Sequence, residues 1–158
     1  MLALFQPRKE APRLATLRQL PLFETLSRLD LRVVNGLLHE RRYLQGEIIF
    51  DEGEEGQALY VIISGRVVIC EQGESAAGLI AEINAGVVFG ELALLDNTPR
   101  SAQARAVEDC VLASLSRSDF ERLLDTHVGI ALKVLLQLAR QLGMQLRDRA
   151  GTADRIRL

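Results

Sequence analysis

Apolar positions along the chain fall into three kinds of stretch. From Pro21 to Glu40, Leu22, Leu26, Leu29, Val33, Val34, Leu37 and Leu38 recur at helical spacing, which predicts a short turn and one helix with Asp30 as its N-cap. From Tyr43 to about Leu115 the period shortens to that of strands. The runs Ile48-Ile49-Phe50, Leu59 to Ile63, Val67 to Cys70, Leu79 to Ile83, Ala102 to Ala106 and Val111 to Leu115 are interspersed with Gly46, Gly53, Gly56, Gly65 and Gly73. Short strands so closely spaced by turns imply a barrel or roll, and Ser64-Gly65 between two apolar strands predicts a hairpin reversal. After Ser116 the spacing is helical again. Ser118 or Asp119 can cap a helix carrying Phe120, Leu123 and Leu124, and a long amphipathic helix follows from about Val128 to Arg147.

These elements predict a mainly β fold with flanking α: a β-roll, or jelly-roll-like barrel, with an N-terminal helix, a short helix inside the roll and a long C-terminal helix. Residues 1–20, with Pro7 and Pro12 among scattered leucines and basic residues, read as an N-terminal extension. Residues 21–147 form the domain, and 148–158, with Gly151 and alternating charge, form a tail that frays. The long helix carries two apolar faces. Leu135, Leu138 and Leu142 read as the seam of a homodimer, and Leu132, Leu136 and Ala139 as the face toward the roll.

Composition narrows the function classes. Hydrophobic residues at 48% and charged residues at 25% supply enough apolar surface for one core. A net charge of −2 offers no steering toward nucleic acid or an anionic membrane. Aromatics at 4%, without Trp, leave little from which to build base-stacking platforms. No apolar stretch reaches membrane-spanning length. Cys70 and Cys110 each sit in an apolar run and read as core residues in a reducing cytoplasm. Metal catalysis in a small barrel needs several His and Glu ligands on its lining, whereas His39 and His127 fall in predicted helices. No Gly-x-Ser-x-Gly elbow occurs. The expectation is a protein without catalytic residues, metal or catalytic cofactor.

The informative stretch is Phe89-Gly90-Glu91-Leu92-Ala93-Leu94-Leu95-Asp96-Asn97-Thr98-Pro99-Arg100-Ser101-Ala102, between two predicted strands. A glycine before a helical turn lets backbone N–H groups approach an anion, and a helix start adds partial positive charge. Arg100, where the chain returns to a strand, has the geometry for paired hydrogen bonds to phosphate oxygens, and Ser101 adds a hydroxyl. Glu91 is an acid beside an anion site, which makes sense where the ligand also presents sugar hydroxyls. The pattern asks for phosphate and ribose together.

This stretch resembles the phosphate-binding cassette of the cyclic-nucleotide-binding domain family, that of the catabolite activator proteins, protein kinase A regulatory subunits and cyclic-nucleotide-gated channels. Pro21-Leu22-Phe23, Gly46 to Phe50, Glu52-Gly53, Gly56 and Leu59 to Gly65 resemble the family's early strands, so the likeness covers about residues 21–147. It implies a cyclic nucleotide ligand, cAMP or cGMP. Glu91 would contact the ribose 2′-hydroxyl, Arg100 the cyclic phosphate, and Gly90 and Leu92 would help hold that phosphate, with Phe89, Ala93, Ser101 and Ala102 completing the site. Ser101, at the family's base-choosing position, leaves cAMP and cGMP both open. Gln103-Ala104 departs from the family's Thr or Ser followed by Val. By the same likeness Gln141, Leu142 and Gln145 on the long helix are the expected base contacts, and that helix transmits occupancy within a homodimer or to an unidentified downstream protein. The chain ends where the activators' helix-turn-helix would begin, so the expectation is a stand-alone domain without direct DNA recognition. The alternatives are a ligand-free interaction module on the same fold, or the sensor half of a transcription regulator.

Overall fold

The computed structural model describes residues 11–70 and 79–156. The expected turn at Gly73 and the first ten residues of the extension lie outside the described residues. Among the described residues, eight strands form two antiparallel four-stranded sheets that enclose a roll. One has the order β1 (His39–Tyr43), β8 (Cys110–Ser116), β3 (Ala58–Ser64), β6 (Val88–Phe89). The other has the order β2 (Ile48–Phe50), β7 (Gln103–Ala106), β4 (Arg66–Cys70), β5 (Leu79–Asn84).

The first sheet is covered on both faces, which accounts for the near-continuous apolar runs of β3 and β8. Ile62 and Leu112 face the second sheet, packing with Phe50, Val67, Phe89 and Ala104. Leu59, Val61, Ala113 and Leu115 face a helical layer that includes Leu22, Phe23, Val34, Phe120 and Val134. Cys70 and Cys110 are buried and free.

The turn at Ser64-Gly65 is not a hairpin. Strand β3 belongs to one sheet and β4 to the other, so the chain turns a corner there. Gly65 makes the corner with φ 96°, and a Cβ at this position would lie 2.6 Å from Cys110 Sγ. A side chain is excluded on both counts.

The helical layer comprises α1 (Ala11–Gln19), a 3₁₀ turn (Pro21–Phe23), α2 (Arg28–Leu37), α3 (Arg117–Thr126) and α4 (Val128–Ile156). Leu17 and Leu20 are at most 1% exposed, so the end of the N-terminal extension is built into the core. Arg13 ties α1 to α2 by donating to Asn35 Oδ1 at 2.5 Å and to its carbonyl at 3.2 Å. The N-cap of α2 is Ser27 rather than Asp30. Asp30 is the third helical residue and returns a bond to the Ser27 amide, a reciprocal capping box. Similarly, Ser116, not Ser118 or Asp119, caps α3 by accepting from the Asp119 amide.

Three further sequence expectations change. Strand β1 replaces the expected end of the α2 helix: residues 39–43 pair with β8, His39 opposite Ser114 and Tyr43 opposite Cys110. His39 is therefore on a strand, 3.2 Å from Asp119 Oδ2, while His127 follows the end of α3. Helix α4 continues through Ile156 instead of fraying after Arg147. Its faces are also exchanged. Leu138 is 1% exposed and Leu135 and Leu142 pack on the chain's own core, whereas Leu132 and Leu136 are 56% and 53% exposed.

Candidate functional site

A cleft of about 330 Å³ opens between the second sheet and the segment after β6. The segment begins with Gly90, whose φ of 71° turns the chain directly into a 3₁₀ helix, Glu91–Leu94. Positive φ favours glycine, and a Cβ here would lie 2.7 Å from Arg100 Nη1. The Glu91 and Leu92 amides, at the start of so short a helix, have no acceptor within it. Asp96 then closes an Asx turn by accepting from the Thr98 amide at 3.0 Å, and hydrogen bonds from the Thr98 side chain and from that amide lower its carboxyl pKa from the ordinary value.

Arg100 is half-buried at the inner end of the cleft. Nη1 donates to the Gly90 carbonyl at 3.0 Å and Nη2 to the Ala58 carbonyl at 2.6 Å, and the guanidinium carbon lies 4.2 Å above the Phe50 ring. Burial lowers its pKa from the ordinary value, opposed by the charges of Tyr60, Glu54 and Glu91. A guanidinium stays charged in a protein. Two of its five N–H donors serve these carbonyls, and the others can serve an anion. Phe50 belongs to an aromatic group in which Tyr60 and Phe89 stack at 5.4 Å, so the cation rests on a fixed surface.

All eight residues expected at the site from the cassette, Phe89, Gly90, Glu91, Leu92, Ala93, Arg100, Ser101 and Ala102, line this cleft. Glu91 is half-buried, Ser101 exposed, and Ala93 and Ala102 buried. Phe50 and Ile69 also line it and were not singled out by the sequence, as do Asp96, Thr98 and Pro99, which lie in the quoted stretch but were not named as site residues. For Phe50 and Ile69 the available signal was strand alternation, because both point inward from the second sheet. The result is a polar end, with Arg100, Ser101 and Glu91, and an apolar wall of Phe50, Ile69, Ala93 and Ala102. That division suits an anionic sugar phosphate bearing a flat base.

The cleft lining contains no residue of α4. Helix α4 packs on α3 and on the Pro21–Phe23 turn. Of the expected base contacts, Leu142 packs on the helical core, Gln141 is half-buried and Gln145 is exposed. Among the described residues, no helix is long and apolar enough to cross a membrane, and no three His, Cys, Asp or Glu gather as a metal site.

A β-roll interrupted by a glycine-initiated 3₁₀ helix, with a half-buried arginine facing its start, has the form of a small-anion site. The chain belongs to the cyclic nucleotide-binding domain family, whose profile matches residues 40–127. It is 37% identical over 125 residues to the Cyclic AMP receptor protein of Thermus thermophilus, covering 77% of this chain and 57% of that protein. It is 34% identical over 119 residues to the cAMP-dependent protein kinase regulatory subunit of Mycosarcoma maydis, covering 72% of this chain and 23% of that one. Among solved structures, the regulatory domain of Toxoplasma gondii PKA in co-crystal with cAMP matches with a TM-score of 0.65 at 31% identity, over 75% of this chain and 45% of that chain. The chain therefore spans between about a quarter and just over half of these curated relatives.

Proposed function

We propose that this chain is a cyclic-nucleotide sensor that binds cAMP in the cleft between the second sheet and the Glu91–Leu94 helix, and passes occupancy on through α4. The observation that carries the reading is the pairing of Gly90 with Arg100 at the polar end of a cleft whose polar and apolar ends match a nucleotide. The cyclic phosphate lies against Arg100 and the open amides of Glu91 and Leu92. Glu91 accepts from the ribose 2′-hydroxyl, and the purine rests on the apolar wall. Ser101 presents one small hydroxyl to the base or the phosphate, so cGMP is a second ligand of the same site. The names of the relatives, a cyclic AMP receptor and cAMP-dependent kinase regulatory subunits, support cAMP as the first choice.

Transmission rests on the exposed side of α4. Leu132, Leu136, Ala139, Gly143, Leu146 and Ala150 follow one another at alternating steps of four and three, the spacing of a coiled-coil seam. Leu146 is 67% exposed. A second copy paired along this stripe forms the homodimer, and Gln145 or Gln141 of one copy then reaches the purine that its own α4 leaves uncovered. Leu92 and Leu95, 53% and 48% exposed on the cassette, offer the apolar rim on which such a lid closes.

Thermal denaturation of protein refolded free of nucleotide tests the reading. Nucleotide at a hundredfold excess over Kd adds about 2.7 kcal/mol, or roughly 5–10 °C for a chain of this size. cAMP should raise Tm by that amount, cGMP should raise it measurably, and 5′-AMP should not. If no cyclic nucleotide shifts Tm at millimolar concentration, the chain is an interaction module that uses the roll as a scaffold.

A further inference from the structure

A second arginine grips the cassette from outside the cleft. Arg117 is the first residue of α3, and its side chain is only 19% exposed. Its Nη1 donates to three carbonyls: Gly56 at 3.1 Å, Ala93 at 3.4 Å and Asp96 at 2.7 Å. Glu55 and Glu121 lie 3.6 and 3.9 Å from its other nitrogens, and its own amide donates to the Gln57 carbonyl at 2.8 Å.

These acceptors come from two segments. Ala93 and Asp96 straddle the end of the cassette helix, where the last carbonyls of so short a helix lack partners within it. Gly56 and Gln57 belong to the loop before β3, and that loop is bound to the main chain of Arg100. The Arg100 amide donates to the Glu54 carbonyl at 2.7 Å and the Gly53 amide to the Arg100 carbonyl at 2.8 Å. The helix Glu91–Leu94 is thus held at its start by Arg100 and at its end by Arg117. A planar, permanently charged guanidinium can hold carbonyls on two segments together, as a lysine ammonium does poorly. Helix α3 also packs on α4.

We propose that Arg117 is a positioning residue for cyclic-nucleotide binding: by holding the Ala93 and Asp96 carbonyls it keeps the cassette in its binding conformation and joins any displacement of the cassette to α3 and α4. This rests on the function proposed above. A cassette that leaves its binding conformation is competent for only part of the time, and affinity falls by that fraction.

The test compares Arg117→Met, which keeps the stem and removes the donors, and Arg117→Lys, which keeps the charge, in the full chain. Leu17→Ala, buried in α1, serves as a control for lost stability. The readouts are affinity and dissociation rate of a fluorescent cAMP analogue, and deuterium uptake at the Ala93, Leu95 and Asp96 amides without nucleotide. Those amides bond within the cassette, to Gly90 and Leu92. Arg117→Met should bind about tenfold more weakly, mainly through faster dissociation, and its cassette amides should exchange faster. Arg117→Lys should recover part of both. The proposal is overturned if Arg117→Met binds and exchanges like the parent, or changes no more than Leu17→Ala. Should Arg117→Met fail to fold, Arg117→Lys decides on the same readouts. A parent that binds no cyclic nucleotide refutes the proposed function, while amide exchange still decides whether Arg117 holds the cassette.

Discussion

Replacing Arg100 by alanine separates what the arginine does for the fold from what it does for the ligand. In the fold it makes two bonds to carbonyls, at 3.0 and 2.6 Å, and one contact with Phe50 at 4.2 Å. Bonds to a charged group contribute about 1.5–3 kcal/mol each and a cation–π contact about 0.5–2 kcal/mol. Desolvation of the guanidinium, the main cause of its lowered pKa, offsets much of this. A net stability loss of about 1–3 kcal/mol is expected, at roughly 2–4 °C in Tm per kcal/mol for a chain of this size. The ligand loses more. Removing one partner of a buried charged pair costs about 2–5 kcal/mol, roughly thirtyfold to a few thousandfold in Kd. Arg100→Lys should fall between, because one ammonium cannot span the Gly90 and Ala58 carbonyls and a phosphate together. Glu91→Ala removes a hydrogen bond to a charged acceptor and should cost about 1.5–3 kcal/mol of binding. Calorimetry gives the affinities, and thermal denaturation confirms that each variant is folded. If folded Arg100→Ala bound cAMP as tightly as the parent, the phosphate would not lie at Arg100.

Other substitutions test the frame around the site. Leu17→Ala should cost about 2–5 kcal/mol in urea unfolding, because the side chain is fully buried; a change under about 0.5 kcal/mol would show that α1 is not part of the core. The Asp30 carboxylate accepts from Lys133 Nζ at 2.9 Å and from the Ser27 amide, and these bonds hold its carboxyl below the ordinary carboxylate range. A folded pKa below the unfolded one contributes stability above about pH 4 that is lost as pH falls through the folded value. The stability gap between parent and Asp30→Asn should therefore be open at pH 7 and close in acid, and a gap independent of pH would contradict the assignment. On α4, Leu136→Glu should leave a folded monomer by light scattering whereas Leu138→Glu should destabilise the chain itself; a dimer unaffected by Leu136→Glu would move the seam elsewhere.

The cassette was legible because its chemistry is local. Gly90 needs positive φ, Arg100 follows Pro99 at the return to a strand, and both requirements sit within a dozen residues. What the sequence hid was non-local. Strand β1 reads Glu40-Arg41-Arg42 because an edge strand exposes both faces and its charges discourage further pairing, so it lacks the alternation that marks a strand. Strand β6 has only Val88 and Phe89 and exists through its pairing with Tyr60 and Val61. The corner at Gly65 carries the same residues as a hairpin turn, and only the pairing of β3 with β8 and of β4 with β7 distinguishes them. On α4 both apolar stripes have seam-like spacing. Which one faces inward is decided by the leucines and phenylalanines of α1, α3 and the Pro21–Phe23 turn, far away in sequence.

Calorimetric titration of the refolded, nucleotide-free full chain with cAMP tests the central claim most directly. The account predicts saturable heat with one nucleotide bound per chain, abolished or greatly weakened by Arg100→Ala. Absence of heat at millimolar cAMP or cGMP from protein shown to be folded would contradict it.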